Sequence, residues 1–126
     1  MKLLLDTHSF LWFINGDTRL SSKGKNLILK TENEIFVSIV SLLEVVLKTN
    51  IGKLTLASDF DSLFLEIEKN NFQLMQISRL HLNKLNTLIL HHRDPFDRLL
   101  IAQGISEKMR IVTKDSNFSK YNIEAI

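Results

Sequence analysis

Short apolar runs recur along this chain, and the segments between them are longer and more polar. Residues 3–5 are uniformly apolar, a pattern typical of a strand covered on both faces, and residues 34–39 (EIFVSI) are predicted as a second strand. Residues 110–113 (RIVT) are predicted as a further strand, and residues 72–77 are predicted as a strand in spite of a mixed pattern. Residues 122–126 could add a short fifth strand.

The segments between the strands carry helix signals. Two of them place apolar residues three and four positions apart: Phe60, Leu63, Phe64 and Ile67 in the first, and Leu82, Leu85, Leu88 and Ile89 in the second. Further helices are predicted over residues 20–30, over residues 41–49 with Gly52 ending that region, and from Asp94-Pro95 to about residue 108. Trp12 and Phe13 lie on a predicted helix after the first strand. We interpret them as residues that pack in the core or in a dimer interface rather than as residues that stack on bases.

Strands that alternate with helices predict an α/β fold, a three-layer sandwich around a mainly parallel sheet of four to five strands. With 126 residues and no linker or repeat, residues 1–126 are expected to form a single domain. In such sheets, functional sites form beyond the carboxyl ends of the strands. The chemistry is therefore expected at that edge.

Composition excludes several classes of protein. The chain has no cysteine, which rules out disulfides, zinc–thiolate sites and thiol nucleophiles and fits a cytoplasmic location. A net charge of +2 does not by itself mark a nucleic-acid binder. No apolar run approaches the roughly 18 residues that a membrane span needs, so no membrane association is expected.

Four acidic residues fall at the expected edge of the sheet. Asp6 directly follows the first strand and Asp115 follows the fourth, so both should project from strand ends. Glu44 lies one helical turn beyond the second strand, and Asp97 lies in the first turn of the helix opened by Asp94-Pro95. Carboxylates that converge in this way repel one another unless a hard cation lies between them. Oxygen ligands suit Mg²⁺ or Mn²⁺, and such ions can promote phosphodiester hydrolysis.

Each acid also has a purely local interpretation. Asp94 before Pro95 suits a helix N-cap, and Asp97 would then occupy the third helical position, where a carboxylate is favourable. Ser41 to Glu44 fits the capping-box pattern. The cap role is favoured for Glu44 and Asp94, whereas the two interpretations of Asp97 are evenly balanced.

The strand-end acids favour function. Asp6 before Thr7 could cap the first helix, and Asp115 could form an Asx turn. A charge at the end of a buried strand is nevertheless costly without a partner, so a functional role is favoured for both. Capping and metal binding are compatible, because a carboxylate has two oxygens.

Several basic and imidazole groups could lie near these acids. Four cations are candidates for contact with an RNA backbone, although surface solvation or a salt bridge explains each of them equally well or better: Arg98, Lys48, Lys53 and Lys114. The four histidines form no metal-ligand motif. His91 and His92 could approach the edge of the sheet, but a solvated loop pair is the favoured interpretation.

Four stretches in order resemble the PIN-domain ribonucleases and, within them, the VapC-type toxins of toxin–antitoxin pairs. They are residues 3–8 (LLLDTH), 38–45 (SIVSLLEV), 91–103 (HHRDPFDRLLIAQ) and 112–118 (VTKDSNF). Residues 52–54 (GKL) also fit the pattern. The resemblance covers nearly the whole chain, and the DPFD segment together with the other three stretches makes it specific.

The resemblance implies an endoribonuclease that uses Mg²⁺ or Mn²⁺. It assigns catalysis and metal binding to the four acids Asp6, Glu44, Asp97 and Asp115. It assigns supporting roles to Thr113, Thr7, Ser41 and Asp94. It further implies RNA as substrate, a homodimer, and silencing by a cognate antitoxin. Two other functions stay open: an aspartyl-phosphate acceptor module, and a catalytically silent binding domain of similar fold.

Overall fold

A four-stranded parallel sheet lies at the centre of the computed structural model, which describes residues 1–126. Its strands are β1 (Lys2–Leu5), β2 (Glu34–Ser38), β3 (Gln73–Met75) and β4 (Arg110–Val112). Their order across the sheet is β3-β2-β1-β4, and all three pairings are parallel. The predicted α/β class with a parallel sheet is confirmed.

Helices connect the strands and cover both faces of the sheet. They are α1 (Thr7–Asn15), α2 (Ser22–Leu29), α3 (Ile39–Asn50), α4 (Ser62–Lys69), α5 (Arg79–Thr87) and α6 (Pro95–Ser106), followed by the 3-10 helix η1 (Ser116–Lys120). Leu3 and Leu5 pack into one apolar core with residues of α1, α3 and α4. Leu4 points to the other face, into a second core with Leu100 and Ile101 of α6. Burial on both faces explains why β1 is uniformly apolar.

Side-chain caps fix where the helices begin at the carboxyl edge of the sheet. The Asp6 carboxylate accepts a hydrogen bond from the Ser9 backbone and starts α1, and the Asp94 carboxylate accepts one from the Asp97 backbone and starts α6. Pro95 fills the first position of α6, where no intrahelical donor is needed. None of the helices combines the length and the apolar character that a membrane span requires.

The second strand leads into α3 earlier than the sequence pattern predicts. The N-cap is Ser38, whose hydroxyl accepts a hydrogen bond from the Val40 backbone at 3.0 Å. The capping box over Ser41 and Glu44 is therefore wrong, and both residues lie inside the helix. Glu44 is in the second turn, not the first, because the helix already begins at Ile39.

Two further predictions are corrected. Residues 122–126 add no full strand. They form a single parallel bridge beside β4, between Ile111 and Ala125, with backbone hydrogen bonds from Ile111 to Glu124, from Ile126 to Ile111 and from Thr113 to Ile126. In α5 the buried residue is His81, whereas Leu82 is 51% exposed and Ile89, beyond the helix, is 69% exposed. The predicted apolar stripe is therefore only partly buried: Leu85 and Leu88 are half-buried, with Leu88 packed against the second core, and His81 of α5 contacts Gln103 of α6.

A candidate metal centre at the carboxyl edge of the sheet

Four acidic residues lie in α3, in the first turn of α6 and at the N-caps of α1 and η1, beyond the ends of β1, β2 and β4. The electrostatics of Asp97 record their proximity: burial, and then the negative charges of Asp94, Asp115, Glu44 and Asp6, raise its pKa to about 7. Its carboxylate accepts no hydrogen bond from a backbone or hydroxyl donor that would offset this repulsion. The structure thus brings the four predicted acids together, with Asp94 as a fifth.

Asp6 is fixed by two donors. Its Oδ1 accepts from the Ser9 backbone at 2.8 Å, and its Oδ2 accepts from the Thr113 hydroxyl at 2.6 Å. Burial raises the pKa of Asp6 above its ordinary value, and the hydrogen bonds from Thr113 and Ser9 offset part of that rise. The Thr113 hydroxyl also accepts from the Asp115 backbone at 3.0 Å. One threonine therefore connects the acids that follow β1 and β4.

Glu44 is buried and held from two sides. Its Oε1 accepts from the Thr7 hydroxyl at 2.6 Å, and its Oε2 forms an ion pair with Lys48 one turn along α3. The Ser41 hydroxyl lies 3.0 Å from that of Thr7. The hydrogen bond with Glu44 raises the pKa of Lys48, to which the charges of Asp94 and Asp97 also contribute. Lys48 is thus the cation that faces the acidic cluster.

Asp94 and Asp115 act locally as the sequence suggested. Asp94 accepts from the Asp97 backbone at 2.9 Å. Asp115 accepts from the Asn117 backbone at 2.9 Å and so starts η1. Each of these contacts uses one carboxylate oxygen, Oδ1 in both cases, so the second oxygen of each acid has no protein partner.

The other three predicted cations form no ion pair with the acids. Lys53 lies beyond the end of α3 and is exposed, as is Lys114. Arg98 donates to the backbone oxygens of Ile89 and Leu88, at 3.0 and 3.3 Å, and forms no ion pair. Arg98 therefore holds the loop before α6, a role that the sequence did not indicate.

His92 is a neighbour of Asp97 that sequence reasoning placed in a solvated loop. Its side chain is only 12% exposed, and its Nε2 lies 3.5 Å from Oδ2 of Asp97. Its Nδ1 is 2.8 Å from the hydroxyl of Tyr121. The position of His92 two residues before Asp94 was the one available signal, and nothing in the sequence indicated Tyr121.

The donor set fits a hard divalent cation. All of the facing acids offer carboxylate oxygens, which suit Mg²⁺ or Mn²⁺ better than the nitrogen and sulfur ligands that zinc favours. The charges of four other carboxylates around Asp97 would be relieved by such an ion. No three of the acidic and imidazole groups are already close enough to hold a metal ion. Binding would therefore require the acidic side chains to move closer together.

The architecture defines a class, namely three-layer α/β proteins whose acids cluster at the carboxyl edge of a parallel sheet. The family model of the PIN domain matches residues 3–124, and the chain belongs to this family. The resemblance to PIN domains is thereby confirmed. No curated protein matches the chain.

Solved structures share this fold. One is the crystal structure of VapBC2 from Rickettsia felis bound to a DNA fragment from their promoter, with 19% identity and a TM-score of 0.74 over 100% of this chain and 98% of that chain. FitAcB from Neisseria gonorrhoeae has 13% identity and a TM-score of 0.68 over 98% of this chain and 96% of that chain. VapBC-1 from nontypeable Haemophilus influenzae has 12% identity and a TM-score of 0.68 over 100% and 97% of the two chains. At these identities the likeness concerns the fold.

Proposed function

We propose that this PIN-domain protein is an endoribonuclease that depends on Mg²⁺ or Mn²⁺, held by Asp6, Glu44, Asp97 and Asp115. The observation that carries the proposal is the repulsion centred on Asp97, where burial and the neighbouring acids raise the pKa to about 7. A folded protein that maintains such repulsion without a partner cation loses stability, and perturbed carboxylates of this kind are frequent in functional sites.

The chain's own residues would prepare the site in distinct ways. The Thr113 and Thr7 hydroxyls orient Asp6 and Glu44, each through a bond of 2.6 Å. When bound, the cation would supply activation of water and neutralisation of charge on the phosphodiester. Most of the catalysis would then come from positioning and electrostatics, with no side chain as a covalent nucleophile.

Lys48 and the exposed Lys114 are proposed to guide the RNA backbone. Lys48 already faces the acidic cluster and could exchange its carboxylate partner for a phosphate when a cation binds Glu44. Lys114 directly precedes Asp115. Lys53 and Arg98 are weaker candidates, since the first lies past α3 and the second is engaged with backbone oxygens.

The proposed biological role is that of a toxin that forms a homodimer and is silenced by an antitoxin. The resemblance to VapC-type toxins and the shared fold with chains of VapBC and FitAB structures support it. An apolar groove between α3 and α4 offers a surface for a protein partner. It is lined by Ile39, Leu42, Leu43, Val46, Phe60 and Phe64. Leu43 is 47% exposed there, which is unfavourable in an isolated protomer.

RNA cleavage by purified variants tests the enzyme proposal. Asp6→Asn and Asp97→Asn should each reduce cleavage in Mn²⁺ by at least about 100-fold, because each removes a ligand charge. Asp61→Asn is the matched control, since this exposed acid lies away from the site and makes no cap hydrogen bond. Full activity in both site variants would refute the proposal. Calorimetric titration of the wild type with Mn²⁺ tests metal binding separately.

A further inference from the structure

His92 has a buried ring nitrogen without a hydrogen-bond partner. Its Nε2 is shielded from solvent and satisfied by no protein atom. The nearest acidic oxygen is Oδ2 of Asp97, at 3.5 Å, which is just beyond hydrogen-bonding distance. Orphaned buried polar atoms are uncommon in folded proteins and call for a physical explanation.

The hydroxyl of Tyr121 determines the state of the other ring nitrogen. It receives hydrogen bonds from the backbone of His91 at 3.3 Å, from the backbone of His92 at 3.2 Å and from the guanidinium of Arg98 at 3.2 Å. These three groups can only donate. The one proton of the phenol is therefore available for Nδ1 of His92, which lies 2.8 Å away.

An Nδ1 that accepts this proton cannot carry one of its own. In a neutral imidazole the ring proton must then reside on Nε2, the nitrogen that lies beside Asp97. Edge-to-face packing on Tyr121, with ring centroids 5.4 Å apart, also restricts rotation of the ring. The result is a preoriented donor next to an acid that lacks one.

We propose that His92 is a positioning residue for Asp97, with Tyr121 holding its imidazole in the Nε2–H form. A small rotation of the carboxylate would let Nε2–H donate to Oδ2 and leave the other oxygen for the cation. A neutral donor suits this task, because it orients the carboxylate without competing for its charge as Lys48 does for Glu44. The metal-binding part of this inference rests on the proposed function, whereas the tautomer assigned to His92 does not.

Nitrogen-15 NMR of histidine-labelled protein tests the ring state without metal or RNA. At pH 8, the His92 signals of the wild type, assigned by their loss in His92→Gln, should show a protonated Nε2 and an unprotonated Nδ1. Tyr121→Phe removes the phenol proton, and the signals should then shift towards a mixture of the two tautomers. A wild-type ring protonated at Nδ1, or one that Tyr121→Phe leaves unchanged, would overturn the inference.

Calorimetric measurement of the Mn²⁺ affinity tests whether the Nε2 proton of His92 supports Asp97 as a metal ligand. His92→Leu keeps the bulk but removes the donor and should weaken binding about tenfold, the effect expected when the support of a metal ligand is lost. His92→Gln retains an amide donor and should remain within about threefold of the wild type. Asn83→Leu is the control, because the exposed Asn83 side chain on α5 forms no hydrogen bond.

The outcomes separate this inference from the proposed function. Melting temperatures of all variants show whether each is folded before affinities are compared. Equal affinities in His92→Leu and the wild type, or equal losses in His92→Leu and His92→Gln, would overturn the positioning role while leaving the metal site intact. A wild type that binds no Mn²⁺ would overturn the metal site together with this use of His92.

Discussion

Asp6, Asp94 and Asp115 each use one side-chain oxygen to start a helix. From the sequence, each of these acids has both a capping and a metal-binding interpretation, and the two are compatible. In the structure the cap contact engages Oδ1 of each residue and orients the carboxylate. The same bond that defines the helix end therefore also determines where the second oxygen lies, and a local role does not argue against a functional one.

Thr113 is the residue on which the alignment of two acids depends. Thr113→Val preserves the shape but removes the hydroxyl that donates to Asp6 and accepts from the Asp115 backbone. We expect a loss of about 1–3 kcal/mol in the free energy of unfolding, since a buried acceptor loses its donor. Urea denaturation would measure it, together with a weaker Mn²⁺ affinity by calorimetry. Thr55→Val, at an exposed threonine, is the control, and equal affinity in Thr113→Val and the wild type would contradict the prediction.

Asp97 should make the metal-free protein less stable at neutral and alkaline pH. Its pKa is about 7 in the folded state, against about 3.9 for an unperturbed aspartate in the unfolded chain. Between these values the folded state binds a proton that the unfolded state does not. The free energy of unfolding therefore rises as the pH falls through that window, and the ionised residue is unfavourable above it.

Asp97→Asn should consequently stabilise the metal-free protein in EDTA at pH 8 by about 1–3 kcal/mol, although the same variant is expected to cleave RNA poorly in Mn²⁺. The advantage should shrink towards zero near pH 4, where wild-type Asp97 is neutral. Thermal denaturation at both pH values would measure the difference, with Asp61→Asn as the matched control. A variant less stable than the wild type at pH 8 would show that the acids do not repel one another as inferred.

At the scale of elements, the sequence predicted the strands and helices whose positions are determined by burial on two faces or by strong cap signals. The strand at residues 3–5 and the helix after Asp94-Pro95 both appear where they were expected. The start of α3 was misplaced because Ser38 and Ser41 both suit a cap, and only the packing of the strand decides between them. In α5, the stripe of leucines gave no sign that His81 would take the buried position.

Ser38 joins two elements and should matter more for stability than Ser41. Its hydroxyl caps α3 and donates to Oε1 of Gln103 on α6 at 2.6 Å. Ser38→Ala removes the cap and leaves a buried amide oxygen without its donor, so we expect a loss of about 2–3 kcal/mol. Ser41→Ala removes only the contact with the Thr7 hydroxyl and should cost about 1 kcal/mol. Chemical denaturation of both variants decides the order, and the reverse order would contradict the assigned cap.

At the scale of the whole molecule, the site depends on the order of the strands. β1 lies between β2 and β4, so Asp6 stands between the acid that follows β2 and the acid that follows β4. Because the strands are parallel, the grouping of these acids at one edge of the sheet was predictable from the sequence. The contact between His92 and Tyr121 was not predictable, because it joins a loop to the segment after η1 and depends on how α6 packs.

The apolar groove between α3 and α4 leads us to expect that it joins the two copies of the proposed homodimer. We expect Leu43→Lys to convert the proposed homodimer into a monomer, because a charge at this 47% exposed position is tolerated in a free protomer but not in an apolar interface. Light scattering after size-exclusion chromatography would give the mass, and thermal denaturation would confirm folding. Leu65→Lys is the control, since Leu65 is 66% exposed on α4 but lies outside the groove. A dimer that survives Leu43→Lys, or a wild type that is monomeric, would show that this groove does not join two copies of the chain.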